Sequence, residues 1–121
     1  MPLPLEDIVP EVLQFVDNYI DGFVAWDTLA YFHKNKAIER RAAGVAMDIG
    51  RRPDQVAPVL ESFVKKGVLS CDVEQEEERV YKYSAPPAFR ENMEKFLSST
   101  RDRTNRLAIV SKVLQKESRR R

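Results

Sequence analysis

Few residues in this chain belong to the types that do covalent or metal chemistry. His33 is the only histidine and Cys71 the only cysteine among 121 residues. A zinc site draws its ligands from several His, Cys or carboxylate side chains at short spacing. No such set accompanies His33, so a helical histidine that is hydrogen-bonded or solvated is expected. Cys71 has no histidine nearby in sequence and no second cysteine. A plain buried thiol is expected there, and no intrachain disulfide can form. Glu74, Glu76, Glu77 and Glu78 crowd a polar stretch, where nothing buries a carboxylate and tunes it for acid–base work. The four glycines are scattered and make no phosphate-cradling loop. No catalytic residue, metal or cofactor is expected, and the chain is not read as an enzyme.

Charge placed to meet a partner is the remaining chemistry. Arg51 and Arg52 stand just before Pro53, where a helix is expected to start, and a helix N-terminus favours anions. Gln55, Ser62, Lys65 and Lys66 offer hydrogen-bond donors along that helix, and Arg79 and Lys82 lie in a later alternating stretch. Cations and donors of this kind position a protein on phosphates. Against this, residues 25–84 hold ten basic and ten acidic side chains, whereas a nucleic-acid surface normally carries a basic field. The chain's net charge is +1, yet residues 101–121 hold eight basic and two acidic side chains, a local +6. That end fits either a surface for nucleic acid or an acidic partner, or a solvated helix end whose cations complement the dipole.

These residues need elements to position them. Ile8, Val9, Val12, Leu13, Val16, Tyr19, Ile20 and Phe23 mark one face of a helix, with Asp7 as N-cap, Pro10 in its first turn and Gly22 at its end. A second helix carries Trp26, Leu29, Ala30, Phe32 and His33 toward its buried side, and Lys34-Asn35-Lys36 closes it. A short third helix runs from about Arg40 to Ile49 and stops at Gly50. A fourth starts at Pro53, with Val56, Val59, Leu60, Phe63 and Val64 on one face, and ends at Lys65-Lys66-Gly67. Pro58 interrupts it, which predicts an irregular first turn and a regular body from about Ala57. Residues 68–73 and 79–84 read as the strands of a hairpin, with Tyr81 and Tyr83 on one face. Beyond Pro86-Pro87, the apolar series from Phe89 to Leu114 keeps a helical period, as one helix or as two joined near Ser98-Ser99-Thr100. Length and composition fit one domain, 1–121, with an N-terminal helix (1–24), a core (25–84) and a C-terminal helical extension (85–121). No apolar run approaches the roughly 18 residues of a membrane span. The acidic start does not read as a secretory signal, so a cytoplasmic location is expected.

The stretch from Ala43 to Leu69, AGVAMDIGRRPDQVAPVLESFVKKGVL, resembles the helix–turn–helix of bacterial winged-helix regulators, including the MarR-type proteins. The likeness lies in the Ile49-Gly50 step, the valine and apolar pair that follow, and the closing glycine with two apolar residues. It covers about half of the chain. It implies a mainly α, α+β fold: a winged helix–turn–helix with a two-stranded wing (68–84) plus additional N- and C-terminal helices. It further implies a DNA-binding transcriptional regulator whose recognition helix spans about 53–66. On that reading Asp54, Gln55, Ala57, Pro58, Glu61, Ser62 and Lys65 face the groove. Arg51 and Arg52, with Arg79 and Lys82 from the wing, meet phosphate. The nucleic-acid-binding set is Arg51, Arg52, Gln55, Ser62, Lys65, Lys66, Arg79 and Lys82. Winged helices also serve as protein-binding or structural adaptors without DNA, and the acidic run at Glu76–Glu78 fits that use. The apolar face of the C-terminal helices needs a cover. It comes from the N-terminal helix of the same chain, or from a second chain in a homodimer that matches a palindromic site.

Overall fold

The protein is described by a computed structural model over residues 10–72 and 79–119. Its described part is mainly helical, with six helices and a small three-stranded antiparallel sheet. In chain order these are α1 (Pro10–Tyr19), α2 (Phe23–Lys34), β1 (Glu39–Arg41), α3 (Ala42–Ile49), α4 (Pro53–Lys65), β2 (Leu69–Cys71), β3 (Val80–Tyr83), α5 (Pro87–Ser99) and α6 (Arg103–Arg119). None of the helices is long and apolar enough to cross a membrane. The chain divides into two compact units, Val24–Pro87 and a second made of residues 1–23 with 88–121.

In the unit Val24–Pro87, glycine closes two helices in the same way. Gly50 ends α3 at φ 71°, and Gly67 follows α4 at φ 77°. After α3, the Gly50 N–H donates to Met47 O at 3.3 Å and the Arg51 N–H to Ala46 O at 2.9 Å. After α4, the Gly67 N–H donates to Val64 O at 3.1 Å and the Val68 N–H to Phe63 O at 2.9 Å. These paired bonds satisfy carbonyls that a helix end otherwise leaves open, and they need a residue with positive φ. The small Ala46 of α3 is buried where α3 and α4 pack together. The larger Leu60 and Phe63 of α4 are buried as well.

The sheet corrects one expectation. Its order is β1-β3-β2, so the hairpin strands have a third neighbour. Residues 39–41 were expected partly in the third helix. They instead pair with β3 in the register Glu39↔Lys82, Arg40↔Tyr81 and Arg41↔Val80. A strand of three charged residues carries no apolar alternation, and its stability comes from backbone pairing with β3. The hairpin pairing is present as Leu69↔Tyr83, Ser70↔Lys82 and Cys71↔Tyr81, with shorter strands than expected. Tyr81 and Tyr83 turn to the core, 3% and 5% exposed.

Two helix expectations also change. α4 is regular from Pro53 onward and keeps Pro58 inside it. Pro58 removes a single i→i−4 bond near the N-terminus, and its ring faces solvent. The first helix stops at Tyr19 rather than near Phe23, because the chain turns at residues 20–22 and α2 begins at Phe23. The expected N-cap Asp7 lies outside the described residues.

In the other unit, α5 and α6 are separate helices that break at residues 100–102. Asp102 caps the second by accepting from the Asn105 N–H at 2.9 Å. Phe15 and Tyr19 of α1 stack with Phe89 of α5, with ring centroids 5.1 and 4.8 Å apart, and Phe15 reaches Phe96 at 5.5 Å. Lys116 of α6 donates to Val16 O at 2.7 Å and Asp17 O at 2.8 Å, so it caps the last turn of α1. Glu117 Oε1 accepts the Phe23 N–H at 2.8 Å. The side of α6 that carries Ile109 and Val113 is buried, and α1 packs along α6 within the chain. Lys112 and Lys116 form ion pairs with Asp17 (3.0 Å) and Asp21 (3.2 Å), so two cations of the basic end serve this packing.

Candidate functional site

The residues expected to meet a partner lie on α4, on the turn before it, and on β3. Several of them are already engaged within the unit. Arg51 donates through Nε and Nη2 to Asp27 Oδ2 of α2, at 3.1 and 2.8 Å. Arg52 is 74% exposed and pairs with Asp54 at 3.2 Å. Gln55 Oε1 accepts the Arg52 N–H at 3.0 Å. Its side chain therefore caps the helix from the N3 position, whereas the sequence pointed to a donor for a partner.

Glu61 sits at the centre of a second cluster. Its Oε1 accepts from Tyr81 Oη at 2.6 Å and from Arg79 Nη1, which ties the middle of α4 to β3. The Tyr81 hydroxyl bond, with help from Arg79, holds the Glu61 carboxyl below the usual carboxylate range against a smaller effect of burial. Burial, reinforced by Glu61, pushes the Tyr81 phenol well above its ordinary value. Two expected partner residues, Glu61 and Arg79, thus face one another. Ser62 is half-buried, whereas Lys65, Lys66 and Lys82 are exposed. Lys82 lies on the outer side of β3, in register with Glu39 and Ser70.

A third group was not expected from the sequence. Tyr31 donates to Asp48 Oδ2 at 2.6 Å, and Arg40 Nε and Nη2 reach the same carboxylate at 3.1 and 3.0 Å. The Tyr31 bond first, then Arg40, lowers the Asp48 pKa. These residues come from α2, β1 and α3, and no periodicity joins them.

His33 is buried, and its Nδ1 lies 2.9 Å from Tyr83 Oη. Cys71 is half-buried, and burial raises its thiol pKa, which opposes thiolate reactivity. Among the described residues, no group of three or more His, Cys, Asp or Glu side chains is arranged to hold a metal ion. The acidic run at 74–78 lies outside the described residues.

An open cleft of about 660 Å³ lies between the start of α3, the middle of α4 and β3. Arg41, Ala42, Ala43, Ala57, Glu61, Arg79 and Tyr81 line it. The arrangement offers guanidinium groups, one carboxylate and a small-residue floor, and nothing in it resembles a nucleophile–base pair. No family model matches this chain, and no curated protein and no solved structure shows significant similarity to it.

Proposed function

We propose that Val24–Pro87 is a winged-helix module and that its partner is duplex DNA, which would make the chain a transcriptional regulator. The observation that carries the reading is topological. The unit runs helix, strand, helix, helix, strand, strand, and its sheet order is β1-β3-β2. In that order α4 is the second helix of a helix–turn–helix and the β2–β3 hairpin is the wing. Exposed Arg52, Lys65, Lys66 and Lys82 supply its phosphate contacts. Arg51 and Arg79, already held by carboxylates, act chiefly by fixing the frame.

Fluorescence anisotropy with a labelled mixed-sequence duplex at low salt tests this. Binding is expected to weaken linearly in log–log form as salt rises. Replacing Arg52, Lys65 or Lys66 by alanine should lower that slope by roughly 0.9 for each phosphate no longer neutralised. Absence of any anisotropy change at the lowest salt would overturn the duplex reading.

A second reading, a protein-binding adaptor, is favoured by one specific observation. Four arginines of this unit, Arg40, Arg51, Arg52 and Arg79, are paired with its own carboxylates, which lowers the field a duplex would feel. Its signature is a protein partner that no longer binds after charge reversal at Glu76, Glu77 and Glu78, with no duplex binding. For either use a homodimer is proposed through the α1 and α6 unit. Leu107 and Leu114 stand seven residues apart on α6 and remain 48% and 51% exposed.

A further inference from the structure

The sheet has a cavity of its own, about 450 Å³, which shares no lining residue with the cleft between α3, α4 and β3. Side chains alternate along a strand, so with Tyr81 and Tyr83 turned to the core, Val80 and Lys82 share the outer face of β3. Both line this cavity, together with Glu39 of β1 and Ser70 of β2. The register sets Glu39 and Ser70 directly on either side of Lys82. Neighbouring strands lie about 4.8 Å apart, so a carboxylate, an ammonium and a hydroxyl stand in one row within reach of a single small molecule.

All three groups are unmet. Glu39 and Lys82 stand opposite each other, yet among the described residues neither side chain has a hydrogen bond or an ion pair. The Ser70 hydroxyl is buried without a hydrogen-bond partner among the described residues, and a buried polar group left unmet is costly. Asp72 also lines the cavity and already has an interaction of its own. Glu39 and Lys82 are therefore the charges left to a ligand. A simple cation is repelled by Lys82 and a simple anion by Glu39. A zwitterion satisfies both, and its carboxylate can also accept from the Ser70 hydroxyl once the long Lys82 side chain closes on it. Val80 adds an apolar surface beside the row, and pockets of this size pair such a surface with a few polar groups.

We propose that this outer face of the sheet binds an α-amino acid with an aliphatic side chain. Its ammonium lies on Glu39, its carboxylate on Lys82 and the Ser70 hydroxyl, and its side chain on Val80.

The probe is leucine. Leucinamide keeps its ammonium and lacks the carboxylate, and 4-methylpentanoate keeps the carboxylate and lacks the ammonium. Each is titrated into the full chain and followed by NMR, reading the Val80 methyls and the Ser70 and Lys82 amides. Saturable leucine shifts at all three residues are expected, with leucinamide and 4-methylpentanoate weaker by roughly tenfold or more. Glu39→Gln and Lys82→Gln, both at exposed positions, should each weaken leucine roughly tenfold while leaving the remaining spectrum folded. Ser70→Ala should weaken it roughly fivefold. No DNA is present in these titrations, so the result does not depend on whether Lys82 also meets phosphate. The proposal is overturned if leucine gives no saturable shift at Val80, Ser70 and Lys82. It also fails if leucinamide or 4-methylpentanoate binds equally well, or if any of the three variants binds leucine as the parent chain does.

Discussion

The carboxylate of Glu61 accepts from Tyr81 and Arg79, and both donors favour its charged form. Its folded pKa therefore lies below the unfolded value. The stabilisation is complete above the ordinary carboxylate range and is lost as pH falls through the folded pKa. Asp48, held down by Tyr31 and Arg40, acts in the same direction. Urea midpoints measured from about pH 7 downward should drop as acid is added, and Glu61→Gln should remove part of that drop while leaving the Asp48 part. An unchanged pH profile in Glu61→Gln would show that the cluster contributes nothing to the acid limb. At this scale the sequence was partly legible. Lys65 and Lys66, expected as cations at a helix end, are exposed, whereas the bond from the Arg52 N–H to Gln55 was hidden because arginine is not a capping-box N-cap residue. The Arg51–Asp27 pair spans two helices and 24 positions, and only tertiary packing reveals it.

Proline and glycine give the element-scale tests. Pro58 leaves Asp54 O without an i+4 donor inside an otherwise regular α4. Pro58→Ala should restore that bond and stabilise the protein by about 1–2 kcal/mol, after allowing for the freer unfolded chain. Gly50 is left-handed at φ 71°, so Gly50→Ala should cost about 1 kcal/mol although a Cβ there meets open space. Thermal unfolding compared with the parent checks both. At Gly22, a Cβ would meet Glu117 Oε1 at 2.6 Å. Gly22→Ala should therefore push Glu117 off the Phe23 amide and cost about as much as Glu117→Ala, about 1 kcal/mol. The two losses should not add, because each removes the same bond. Helices with glycine stops and a 3.6-residue apolar period were legible, since those signals are local. β1 was not, because three charged residues show no period and become a strand only against β3.

At the scale of the molecule, the fold class follows from the order of elements, whereas the candidate site does not follow from its residue list. Cations written into the sequence as partner contacts were divided by the fold between internal pairs (Arg51, Arg79) and exposed positions (Lys65, Lys82). Charge counts cannot make that division. The proposed homodimer has its own test here. Sedimentation velocity should show a dimer that Leu107→Glu combined with Leu114→Glu converts to monomer, since two charges on a paired apolar seam are strongly disfavoured. A parent chain that sediments as monomer at every concentration would remove the dimer.

Lys116 and Glu117 also set an order of events. Their bonds to Val16, Asp17 and Phe23 join positions 94–100 residues apart, whereas Val24–Pro87 is one continuous stretch. Loop closure over such a distance is slow relative to local helix pairing. During synthesis Val24–Pro87 can assemble while α1 has emerged without the helix that caps it, and the carbonyls of Val16 and Asp17 lack their Lys116 donor until α6 clears the ribosome. Pulsed hydrogen exchange during refolding should accordingly protect α3 and α4 before α1, making α1 one of the last helices to settle.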